Sequence, residues 1–160
     1  MKNLIFANSG SGKTRLIEKL GTKKVSDTDI ISCQLFNCEY KDLYERFKNI
    51  TPKERDLHYL KIKMVVNLLD KVGVTVFTPT RQLLKDCSLC ILQANYSSVN
   101  TLVGRENPYY QDRETFDKKL KTYMDICYKH DIPMIMLRPN HYLSDIVSLD
   151  EDGKIKINNQ

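Results

Sequence analysis

The chain lacks most of the features that would take it out of the ordinary globular class. No apolar stretch is long enough to span a bilayer, and no N-terminal pattern reads as a signal peptide. Neither repeats nor a low-complexity linker divide the 160 residues. These absences predict one soluble domain over residues 1–160, with no membrane partner. Cysteine is scarce and odd in number: five residues without a secretory signal point to reduced thiols in a cytoplasmic protein. Cys87 and Cys90 form one C-x-x-C, but no second pair exists, no His is close by, and Cys90 falls inside an apolar run. The pair therefore reads as core, not as a redox or metal motif. His58, His130 and His141 have no metal-ligand spacing, and no Ser or Cys sits in a recognisable nucleophile elbow, so enzyme classes built on those groups have little support.

A large excess of one charge is also missing. The formal net charge is +5, with a pI near 8.9, which suits anionic ligands such as nucleotides or nucleic acid. The basic residues mostly alternate with acids, as in Lys41-Asp42 and Lys53-Glu54-Arg55, the pattern of solvated helix faces. Nucleic acid is thus only weakly indicated. What remains, 41% hydrophobic and 28% charged residues, is the composition of a chain that buries a core.

Short apolar runs alternate with longer helical patterns, which predicts an α/β fold with a mainly parallel sheet. The run Asn3 to Asn8 is continuous, as in a strand buried on both faces, and starts too near Met1 to leave room for a leader. A helix is expected from Lys13 to about Leu20, then a short strand Lys24-Val25-Ser26 leading into the turn Asp27-Thr28-Asp29. Residues 39–47 read as helix. Thr51-Pro52-Lys53-Glu54 is a strong helix start, and that helix runs to Lys71. Leu57, Leu60, Met64, Leu68 and Val72 recur three or four apart, so they are expected to be its buried face. Strands follow at 74–77, 88–93 and 133–137, with a helix at 115–130. Residues 96–114 are expected to hold a short helix and a mobile lid, and residues after 150 a loose tail. The sum is a three-layer sandwich around a five-stranded, mainly parallel sheet.

Ala7-Asn8-Ser9-Gly10-Ser11-Gly12-Lys13-Thr14 carries the strongest chemical signal, a Walker A spacing with Ala in place of the first Gly. A polyphosphate is wrapped by main-chain N–H groups, and glycines at 10 and 12 let the backbone approach and adopt conformations that a side chain forbids. The following helix turns its N-terminus toward the phosphates. Lys13 would reach the β and γ oxygens, and the Thr14 hydroxyl would ligate Mg²⁺. Asn8, Ser9, Gly10, Ser11 and Gly12 complete the expected nucleotide contacts.

Asp27 and Asp29 lie at the expected carboxyl end of the second strand, where ligands bind in open α/β sheets. One can order the metal shell and the other can orient an attacking hydroxyl; the competing reading is a solvated turn with a helix cap. Arg81 follows the third strand, Arg105 and Arg113 flank the expected lid, and Arg138 follows the last strand. Such side chains can supply forked contacts to phosphate oxygens. No Asp or Glu ends the third or fourth strand, and the fourth closes on Gln93-Ala94, which argues against an ATPase motor.

With these residues in view, the chain resembles the small P-loop kinases, the group of nucleoside monophosphate kinases and shikimate kinase-like enzymes. The likeness rests on Ala7 to Thr14, on Asp27-Thr28-Asp29 as a D-x-D, on Thr78-Pro79-Thr80-Arg81, on Leu102-Val103-Gly104-Arg105, and on Lys119-Leu120 with Tyr123. It implies a P-loop NTPase type of fold. It also implies an ATP- and Mg²⁺-dependent kinase that acts on a small acceptor, a nucleotide or nucleoside first of all. In that scheme Lys13, Asp29, Arg81 and Arg105 are catalytic, Thr14 and Asp27 serve the metal, and Arg138 joins the loop in binding ATP. The family's post-lid Arg stands here as Lys119, which lacks the fork. Two alternatives stay open: a kinase for a hydroxyl on a polynucleotide or modified base, and a nucleotide-binding module without catalysis.

Overall fold

The structure, a computed structural model, describes residues 1–103 and 112–158. Its elements in chain order are β1 (Leu4–Ala7), α1 (Lys13–Leu20), β2 (Val25–Asp27), α2 (Thr28–Phe36), α3 (Tyr40–Asn49), α4 (Pro52–Lys71) and β3 (Thr75–Thr78). A 3-10 turn (Arg81–Asp86) leads to β4 (Leu89–Gln93), α5 (Tyr96–Val103), α6 (Arg113–His130) and β5 (Met134–Leu137). The chain closes with α7 (Leu143–Ile146), β6 (Val147–Leu149) and β7 (Ile155–Ile157). Five strands form one all-parallel sheet in the order β2-β3-β1-β4-β5.

β1 is central, and every one of its side chains is buried, as its unbroken apolar run requires for a strand covered on both sides. Alternation splits the core in two. Leu4, Phe6, Val76 and Leu92 face Ile31 of α2, Ile62 and Val66 of α4, and Tyr123 and Cys127 of α6. Ile5, Ala7, Phe77 and Ile91 face Leu16 of α1 and Leu143 and Ile146 of α7. The step from β1 through α1 runs to the β2 edge, and the step from β2 through α2, α3 and α4 turns back to β3. Right-handed crossovers then put α1 and α4 on opposite faces, as the two clusters show. Helices flank both faces, compatible with a three-layer sandwich. Among the described residues no helix is long and apolar enough to cross a membrane.

The local signals for α4 hold. Thr51 Oγ1 accepts from the Glu54 N–H (3.1 Å), Glu54 Oε1 accepts from the Thr51 N–H (3.4 Å), and Pro52 follows the cap. The buried face of that helix is a correction. His58, Ile62 and Val66 point inward, whereas Leu57, Leu60, Met64, Leu68 and Val72 are 52–72% exposed. The helix carries two apolar stripes, and contact with β3 and α2 selects the other one.

The Asp27-Thr28-Asp29 turn is the start of a helix, α2, which the reading of this stretch as a turn did not foresee. The tail after residue 150 is also corrected. Ile155–Ile157 pairs antiparallel with Val147–Leu149, closed by a turn in which the Gly153 N–H donates to the Asp150 carbonyl (3.0 Å). Two apolar side chains, Ile155 and Ile157, pack on the α1 side of the core and hold this hairpin in place. Within the lid region 96–114, residues 96–103 form α5; residues 104–111, Arg105 among them, lie outside the described residues.

Candidate functional site

Because all five strands run the same way, their carboxyl ends share one edge. That edge gathers Asn8 to Lys13, Asp27 with Asp29, Thr78 to Arg81, Gln93 and Arg138. It is also where the connections from β1 and β4 part, the position at which open α/β sheets hold ligands.

The loop from Asn8 to Gly12 is compact. The Ser11 N–H donates to the Asn8 carbonyl (3.2 Å), and Gly10 and Gly12 have φ of 84° and 97°, the left-handed region open to glycine. A Cβ on Gly10 would lie 2.7 Å from Val99 of α5, and one on Gly12 would lie 3.1 Å from Tyr142. Both glycines are therefore needed for space as well as for φ. Gly12 caps α1 without a side-chain hydrogen bond, as a residue with no side chain must. The Ser11 hydroxyl is buried and has no hydrogen-bond partner among the described residues.

Lys13 folds back across this loop and donates to the carbonyls of Ala7 (3.1 Å) and Asn8 (3.2 Å). Burial pulls its pKa down, and the charges of Asp27 and Asp29 oppose that pull. Asp27 is buried and caps α2 by accepting from the Asp29 N–H. Burial raises its pKa against the attraction of Lys13. Asp29, half-buried in the first turn of α2, is pushed up to about 6 by burial and by Asp27. Lys13, Asp27 and Asp29 thus form one electrostatic unit, in which Asp27 also caps α2.

The floor of this edge is held by polar clamps. The Thr28 hydroxyl donates to Thr78 Oγ1 (2.8 Å), which also accepts from the Thr80 N–H (3.1 Å), tying the ends of β2 and β3. Asn8 ties β1 to β4: its Nδ2 donates to the Gln93 carbonyl (3.0 Å) and its Oδ1 accepts from the Gln93 N–H (2.7 Å). Its side chain is therefore engaged, and only its main chain can turn to a ligand. Gln93, fully buried where an acid was looked for, donates from Nε2 to the His141 carbonyl (2.6 Å). Ser98 of α5 joins in, its Oγ accepting from the Asn140 N–H (2.8 Å) and its carbonyl from the Tyr142 hydroxyl (3.0 Å). Sequence reading missed Thr28, Thr78, Gln93, Ser98 and Tyr142. The usable signal was a polar residue closing each of two buried strands, Thr78 in β3 and Gln93 in β4.

Thr14 is exposed on the first turn of α1, and Arg81 is exposed just after β3. Arg81 and Lys119 of α6 come together: burial and then the Arg81 charge hold the Lys119 ammonium below its ordinary pKa. Arg138 is exposed beyond β5, at the sheet edge farthest from β2. Cys87, Cys90 and Cys127 are buried, and all five cysteines are free thiols. No family model matches the chain, and no curated protein matches it either.

Proposed function

We propose that the protein is a P-loop phosphotransferase that moves the γ-phosphoryl of Mg-ATP to a small acceptor, a nucleotide or nucleoside foremost. One observation carries the reading: a compact loop with two left-handed glycines leaves the central strand of a parallel sheet and opens directly onto a helix start, with Lys13 lying over it and Asp27 and Asp29 beside it. Such a loop aims N–H dipoles and one ammonium at a single point, which suits a polyanion. In this reading the fold is of the P-loop NTPase type.

Lys13 would leave the Ala7 and Asn8 carbonyls for phosphate oxygens, exchanging two neutral acceptors for charged ones. Asp29 would accept the proton of an acceptor hydroxyl as its oxygen bonds to phosphorus and the bond to the β-phosphate oxygen breaks; its raised pKa suits that role. Arg81, with Arg105, would clamp phosphate oxygens, and Arg138 would flank the ATP. Magnesium fits the donors present. Thr14 and Asp27 offer hard oxygens, and among the described residues no three His, Cys, Asp or Glu cluster to hold an ion alone. Such an ion keeps phosphate and water in its shell and offsets charge on the β- and γ-phosphates. Free thiols on every cysteine support a reducing, cytoplasmic setting.

Transfer of labelled γ-phosphate to a panel of nucleosides, nucleotides and oligonucleotides tests this. Label on a small acceptor supports the proposal. Label only on oligonucleotide ends, with binding that falls steeply as salt rises, would move the activity to a polynucleotide. Gln93 favours one further reading, because a buried, hydrogen-bonded amide stands at the strand end in place of an acid. ATP binding without transfer to any member of the panel would support a nucleotide-binding module.

A further inference from the structure

The free thiols lie in two settings, and the proposed activity uses none of them. Cys87, Cys90 and Cys127 are buried in the core, where the Cys90 and Cys127 thiols are hydrogen-bonded. Cys33 and Cys38 are half-buried instead, at the end of α2. Both line a surface cavity of about 370 Å³ with Gln34, Asn37 and Glu39. A small oxidant in solvent therefore reaches this pair and not the core thiols.

α2 ends in a Schellman motif, which sets the distance between the two cysteines. Asn37 is left-handed (φ 52°), its N–H donates to the Gln34 carbonyl (3.3 Å), and the Cys38 N–H donates to the Cys33 carbonyl (3.0 Å). In this motif the side chains of the two residues joined by the outer bond lie against each other. With standard bond lengths on either side, the 3.0 Å bond keeps the two Cα atoms within about 7 Å, the span that a disulfide bridges. The two thiols are themselves hydrogen-bonded.

We infer that Cys33 and Cys38 are a peroxide-responsive pair, which a hydroperoxide converts into a disulfide across the end of α2. Thiolates, not thiols, attack peroxides. Burial, and then the Cys38 thiol beside it, push the Cys33 pKa up to about 11, so Cys33 keeps its proton and the attack falls to Cys38. The Cys38 thiolate takes one peroxide oxygen. The O–O bond breaks, and the other oxygen leaves with the Cys38 proton as alcohol or water. The Cys33 sulfur then bonds to the sulfenic sulfur of Cys38 and gives up its proton, so the S–O bond breaks and water departs. The pair loses two electrons and the peroxide gains them. Exchange with free thiols in a reducing setting restores the pair, as suits a sensor rather than a structural bridge.

The test exposes the reduced full chain to a small excess of hydrogen peroxide, blocks the remaining thiols with N-ethylmaleimide in denaturant, and weighs the tryptic peptides. Residues 25–41 form a single tryptic peptide that holds both sulfurs. It should appear unblocked and lighter by two hydrogens, and regain them with dithiothreitol, while Cys87, Cys90 and Cys127 are blocked as thiols. Cys33→Ser should leave on Cys38 a sulfenic acid that dimedone traps, and Cys38→Ser should be trapped at least ~10-fold more slowly. Peptide 25–41 with both thiols blocked after peroxide treatment overturns the inference. So does a disulfide that links two chains, seen as a doubled mass without reductant, or trapping that is faster in Cys38→Ser than in Cys33→Ser.

Discussion

Asn8 is bonded to Gln93 as one strand is bonded to the next, with its side-chain amide donating to the Gln93 carbonyl and accepting from the Gln93 N–H at 3.0 and 2.7 Å. The amide thereby extends the β1–β4 ladder by one step beyond Ala7, just where the backbone of the loop turns away. Asn8→Ala would leave both Gln93 groups buried without partners. It should cost about 2–4 kcal/mol in urea melts, with an unchanged m-value. Loss below about 0.5 kcal/mol would show that water replaces the clamp without penalty.

Val99 closes the space beside Gly10, so that a Cβ there would stand 2.7 Å from Val99 Cγ1. Gly10→Ala adds a left-handed alanine and a contact at 2.7 Å, and should destabilise by about 1–3 kcal/mol while weakening ATP binding. Val99→Ala in the same chain removes the 2.7 Å contact and leaves the Val99 Cβ at 3.2 Å and the φ cost in place, so the double variant should recover part of the loss. Additive losses in that cycle would show that Val99 does not limit the loop.

How much of this was legible in sequence follows from how local each cause is. The capping box of α4 lies within four residues, Thr51 to Glu54, and was read directly. β1 declared itself through an apolar run, and Gly10 and Gly12 through the need for positive φ. The face that α4 buries was not legible, because two apolar stripes compete and the winner depends on β3 and α2. Gln93 read only as a missing acid, since its partner His141 lies 48 residues away. Helix α2 was hidden because Asp27 looks the same as a turn residue and as a cap until Asp29 is seen donating to it.

Among the described residues Lys13 bonds to two nearby carbonyls, of Ala7 at the end of β1 and of Asn8, so removing it should leave the fold in place. Lys13→Ala is expected to abolish transfer, at least ~1,000-fold in kcat/KM, with a melting temperature within a few degrees of wild type. Retained turnover would remove Lys13 from the mechanism. Loss of folding instead would recast it as a structural bond.

Two titrating groups act oppositely on stability between pH 4 and 7. Asp29 has a folded pKa of about 6, above its ordinary 3.8, so the folded state resists its ionisation. Its effect is nil below about 4, grows as pH rises toward 6, and is a full destabilisation above that. Asp29→Asn should therefore stabilise the chain at pH 7.5, with the gain fading to nothing near pH 4. His58 is buried between Phe36 (4.2 Å, stacked) and Ser32 (2.9 Å), and burial, aided by Lys61, lowers its pKa. Its neutral form is the one the fold accepts, so stability is full above the unfolded value of about 6.5 and is lost as pH falls below it. His58→Phe should flatten the acid limb of the melting profile, whereas Asp29→Asn should flatten the rise in stability that acidification from pH 6 to 4 otherwise brings. In transfer assays Asp29 must be ionised to take a proton, so kcat/KM should fall tenfold per unit below an apparent pKa near 6. A flat activity profile from pH 5 to 8, in a chain that melts normally over that range, would leave Asp29 without its role as base and restrict it to the charge balance around Lys13.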